Sequence, residues 1–66
     1  MELQFNMGEV FDLAIELERN GAEFYRNFAE HAVGSKARKQ LLELVKMEEE
    51  HRNHFLHLKQ ENTDEY

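Results

Sequence analysis

Apolar or small residues recur along the first half of the chain at Met7, Phe11, Ala14, Gly21, Tyr25, Phe28 and Ala32, with spacings that alternate three and four. That period places them on one face of an α-helix. One slot in the series holds Glu18 instead of an apolar residue. The second half repeats the arrangement with Ala37, Leu41, Leu44, Phe55 and Leu58, and here Glu48 and His51 fill the missing slots. Gly34-Ser35 separates the two stripes. Glycine suits the left-handed position after a helix, and serine suits the N-cap of the next. Asn6 is a good N-cap for the first helix, with Glu9 three residues later as in a capping box. Phe5 and Val10 are spaced to form a hydrophobic staple across it. The pattern predicts one domain over 1–66, with helix one at about 7–33, a turn at 34–35 and helix two at about 36–61. The polar stretch from Glu61 to Tyr66 is expected to fray.

A turn this short makes the helices antiparallel neighbours. Reflection about the point between Gly34 and Ser35 puts Glu18 and His51 at equal distances from it. At about 1.5 Å per residue both lie roughly 25 Å from the turn, and Glu48 roughly 20 Å. The three interruptions therefore share one slice of the hairpin. Unpaired carboxylates at core positions are costly, and several at one level call for a compensating positive charge.

Composition bears on what supplies that charge and what covers the stripes. Sixty-six residues build a small core that needs a disulfide, a metal or a partner subunit. There is no cysteine, which excludes disulfides, thiolate zinc sites and thiol nucleophiles. Metal and oligomerisation remain. Val10, Leu13, Leu17, Phe24, Leu42 and Val45 flank the main stripes and widen the apolar surface that needs cover. Two helices cannot enclose it, whereas four can. The expected assembly is a homodimer of hairpins forming one four-helix bundle, with the polar slice near its two-fold axis.

The net charge of −6 argues against nucleic-acid binding, because phosphate contacts need clustered cations. Lys36, Arg38 and Lys39 form the one basic cluster and read as a solvated turn. No apolar run approaches the length of a membrane span, and Met-Glu-Leu-Gln-Phe has no signal-peptide character. A cytoplasmic protein is the expectation.

Glu48 and His51, three residues apart on a helix, project from one face and can reach a common ion. Mixed oxygen and nitrogen donors suit Fe or Mn and disfavour Ca or Mg. The stretch from Ala14 to Tyr25, AIELERNGAEFY, resembles the first helix of rubrerythrin-like members of the ferritin-like superfamily, and LVKMEEEH from Leu44 to His51 resembles their second. The resemblance covers nearly the whole chain but only half of a usual four-helix domain. It implies that Glu18, seven residues before Tyr25, is a metal ligand, and that Glu48 and His51 are the Glu-x-x-His pair. It further implies two iron ions per dimer, with Mn or Zn as substitutes, Glu48 of each subunit bridging, and Glu18 and His51 as terminal ligands. A second copy would supply the missing half, an arrangement similar to that of encapsulated ferritins, so a higher oligomer or an enclosing shell is also open. Tyr25 would orient a ligand carboxylate, and Gly21 would leave room for metal or an oxygen-derived ligand.

The implied activity is that of an iron-dependent oxidoreductase, oxidising Fe(II) with O2 or H2O2 for storage or detoxification, or reducing peroxide as rubrerythrins do. The cysteines of a rubredoxin domain, which passes electrons in full rubrerythrins, are absent from this sequence. Two other readings stay open: a structural dimerisation module whose polar slice specifies register, and a metal sensor or carrier. Several residues are read as unrelated to the slice. His54 and His57 are expected to be exposed near a helix end, Glu49 and Glu50 solvated, and Glu16 and Glu23 on the polar face. His31 is placed to interact with the C-terminal dipole of helix one.

Overall fold

Asn6 adopts an extended backbone, and its side-chain oxygen accepts from the Glu9 backbone N–H at 2.8 Å, which starts the first helix. In the computed structural model, which describes residues 5–62, the chain forms α1 (Met7–Glu30) and α2 (Ser35–Glu61). The two pack as an antiparallel hairpin. No strand is present among the described residues. None of the described helices is long and apolar enough to cross a membrane. Phe5 and Val10, expected as a staple, are both exposed.

α1 stops three residues earlier than the periodicity suggested. The backbone N–H groups of His31 and Ala32 donate to Phe28 and Ala29 carbonyls, tightening the last turn. The His31 ring nitrogen Nδ1 donates to the Asn27 carbonyl at 2.9 Å, so the imidazole caps a specific carbonyl at the helix end. Gly34 and Ser35 do not take the roles expected of them. The cap of α1 is His31, whereas Gly34, at φ 99° and ψ 143°, occupies the N-cap of α2, and Ser35 is already helical. The left-handed backbone that glycine allows is spent on reversing the chain, and α2 starts with no side-chain cap.

The contact face differs from the expected stripe in a regular way. On α1 the buried and half-buried residues are Gly8, Phe11, Ala14, Ile15, Glu18, Gly21, Ala22, Tyr25, Ala29 and Ala32. Phe11, Ala14, Glu18, Gly21, Tyr25 and Ala32 belong to the expected stripe; Gly8, Ile15, Ala22 and Ala29 lie one residue beyond it, while Met7 and Phe28 are exposed. On α2 the covered residues are Leu41, Leu44, Val45, Glu48, Glu49, Arg52, Phe55, Leu58, Lys59 and Asn62, so Leu41, Leu44, Glu48, Phe55 and Leu58 stand where expected, while Ala37 and His51 are exposed. The covered arc on each helix is thus shifted by a fraction of a residue step from the centre the pattern suggested. Ala22 and Ala29, each 3% exposed, lie on the α1 side of this seam and Val45 on the α2 side. Small side chains here let the backbones approach, and the larger apolar residues are left outside. Leu17 and Phe24 are 61% and 58% exposed, and Val10, Leu13 and Phe28 join them on the same side of α1. The hairpin is only 11 Å across in its thinnest dimension, about one helix. It is a single layer, and its stripes have an open side.

Candidate metal centre

Glu18 projects from the middle of α1, while Glu48 and His51 sit one turn apart on α2. Antiparallel pairing brings the three together. One ligand-type atom from each lies within 4.8 Å of the other two. Nδ1 of His51 approaches Oε2 of Glu18 at 3.3 Å. The reflection about Gly34 and Ser35 describes this register well: Glu18 meets His51, and Gly21 meets Glu48. Burial within the set is uneven. The Glu18 side chain is 20% exposed, that of His51 51%, because the rotation of α2 turns His51 away from the seam and brings Arg52 into it.

The space at Gly21 is already taken. A Cβ added there would lie 2.9 Å from Oε2 and 3.3 Å from Cδ of Glu48. The bare backbone that was expected to make room for a metal or oxygen ligand instead makes room for the Glu48 carboxylate.

Electrostatics favours a proton or a cation in this cluster. The Glu48 carboxyl is held above its ordinary value of 4.5, first because its protonated form donates to Glu18, then by desolvation and by the Glu18 charge; His51 acts in the opposite sense. Two ionised carboxylates are both acceptors and satisfy nothing in each other. Oε2 of Glu18 is buried without a hydrogen-bond partner, its contact with the His51 nitrogen being an ion-pair approach only. An orphaned carboxylate oxygen beside a second carboxylate and an imidazole fits a divalent ion that prefers oxygen and nitrogen donors.

Tyr25 is half-buried on α1, its ring edge-on to Phe24 at 5.6 Å between centroids. Arg52, absent from the residues singled out in the sequence, is half-buried in the seam with its Nε unpartnered. Its signal was its place four residues after Glu48, in the seven-residue series Val45, Arg52, Lys59. Glu49 is not simply solvated. Arg26 reaches it across the hairpin at 3.4 Å. Lys59 and Asp12 make a second cross-helix pair, and Glu16 pairs locally with Arg19. His57 pairs with Glu61 at 3.0 Å, and His54 lies exposed beside Phe55, so neither belongs to the cluster.

Comparisons with models of known protein families, with curated proteins and with solved structures find no match for this chain.

Proposed function

We propose that this hairpin is half of a di-iron carboxylate centre, completed by a second copy of the chain, and that the assembled dimer oxidises Fe(II) with O2 or H2O2. The observation that carries the reading is the convergence of Glu18, Glu48 and His51 around a buried carboxylate oxygen with no hydrogen-bond partner. Two such sets, facing each other in a four-helix bundle, bring four carboxylates and two imidazoles, the donor inventory of ferritin-like di-iron proteins. A bound iron pair supplies two electrons, matching the two-electron reduction of peroxide to water. Glu48 would hold the metal as a carboxylate ligand from α2. Glu18 would add a second carboxylate and His51 an imidazole nitrogen. Tyr25, two turns along α1 from Glu18, is a candidate hydrogen-bond donor to a ligand carboxylate.

The dimer is supported by the open apolar side of α1. Val10, Leu13, Leu17, Phe24 and Phe28 form a row of exposed large side chains that water alone would cover in a single hairpin. Ala14, Glu18, Gly21 and Tyr25, half-buried members of the expected stripe, lie between this row and the buried residues of the seam with α2. A helix with neighbours on both flanks directs such a stripe to the centre of a bundle.

Purified protein loaded with Fe(II) under anaerobic conditions tests the reading. The expected result is two irons per dimer and rapid growth of near-ultraviolet ferric absorbance when air or peroxide is admitted, with both lost in Glu18→Ala and His51→Ala. Failure to bind iron, with unchanged stability in those variants, would leave the polar layer as a device for helix register. Binding without oxidation would indicate a sensor or carrier.

A further inference from the structure

We infer that Gly21 is a positioning residue for Glu48, retained against the preference of the helix that contains it. This rests on the metal-binding reading and adds a residue that donates nothing to the ion. Gly21 lies in the middle of a 24-residue helix, where glycine is unfavourable relative to alanine. Its φ is negative and helical, so no turn or left-handed backbone demands it. The nearest atoms to a Cβ at this position are all from one side chain: Oε2, Cδ and Cγ of Glu48 at 2.9, 3.3 and 3.5 Å. The end of the Glu48 side chain thus occupies the space a side chain at Gly21 would take, with a ligand atom within 4.8 Å of those of Glu18 and His51.

A methyl group at Gly21 cannot share that space. Because the obstructing atoms end a flexible side chain, the cheap response is for Glu48 to swing toward solvent. That response removes a carboxylate from the ligand set and separates it from Glu18, which relieves their repulsion in the metal-free protein. Alanine at this position therefore acts in opposite directions on fold and site. Ordinary packing predicts another outcome: a glycine needed for helix contact destabilises the protein when replaced.

Gly21→Ala, compared with Asn20→Ala on the exposed face of the same helix, separates the two roles, with Mn(II) as a redox-silent probe. The metal-free Gly21→Ala protein is expected to melt about 4 °C higher than wild type from helix propensity alone, and to lose the NOE between the Gly21 Hα position and Glu48 Hγ. Its Mn(II) affinity, by calorimetry, is expected to fall at least about tenfold, while Asn20→Ala binds as wild type does. Unchanged Mn(II) affinity in Gly21→Ala, or a lower melting temperature without metal, would overturn the inference while leaving the metal reading intact. Absence of Mn(II) and Fe(II) binding in the wild type would remove both.

Discussion

The two flanks of α1 are built from different residues and meet different fates. Toward α2 the helix presents Gly8, Phe11, Ala22 and Ala29, and all four are buried. Away from it stand Val10, Leu13, Leu17, Phe24 and Phe28, all exposed. Apart from Phe11, the covered side chains are small and the exposed ones large, the reverse of what burial of apolar area favours in an isolated hairpin. Small residues buy close backbone approach along the sealed flank. The open flank holds a continuous row of exposed large apolar residues, which is why we propose that a second copy occupies it. Glu18 and Gly21 lie between the flanks, where a change on either side alters the cluster.

The contrast is broken most severely by charging the open flank. Leu17→Glu with Phe24→Glu is expected to weaken dimerisation by roughly 3–6 kcal/mol, from about 1.5–3 kcal/mol for each large apolar side chain. Sedimentation equilibrium reads it, and unaltered association would show that the flank is not an interface. Overfilling the sealed flank comes next. Ala22→Leu forces the helices apart and should cost about 1–3 kcal/mol in thermal or urea unfolding. A neutral result would mean that the seam is looser than its burial implies.

A pH series sharpens the place where the flanks meet. Because Glu48 is held above 4.5 in the folded chain, by its hydrogen bond to Glu18 first and by desolvation next, the folded state there retains a proton that the unfolded chain has released. The resulting destabilisation is fully present above the folded value and is relieved as pH falls through it toward 4.5. Metal-free protein should therefore gain stability on mild acidification, and Glu48→Gln should flatten that part of the profile. Metal competes with the proton, so Mn(II) affinity should fall over the same interval. The smallest effect is expected from Arg26→Ala. Its pairing with Glu49 is half-exposed at both ends, and its loss should cost no more than about 0.5 kcal/mol.

Period and turn signals made the two helices, their order and their register legible. The Asn6 cap and the pairing of Glu18 with His51 could be read from spacing alone. What spacing obscured was the rotation of the contact face. The apolar arc on α1 is wide because it contains two flanks, and its centre lies on neither. Ala22, Ala29, Val45 and Arg52 sit just off that centre, so a single averaged stripe passes beside them. The Arg26–Glu49 pair was hidden for the same reason, since a cross-helix partner is defined only once the seam is known. The Glu48 carboxylate over Gly21 required atomic detail: periodicity marks a bare position but not what fills it.

The four-residue link at 31–34 has a consequence for how this chain can vary. It sets the phase between two rigid rods, and Gly34 at φ 99° fixes where the second begins. One residue added or removed there would slide α2 by about 1.5 Å and turn it by about 100°. Glu48 and His51 would then be out of step with Glu18, although every ligand would still be present. Substitutions along α1 or α2 perturb the cluster one side chain at a time, but a length change in this link would dismantle it in one step.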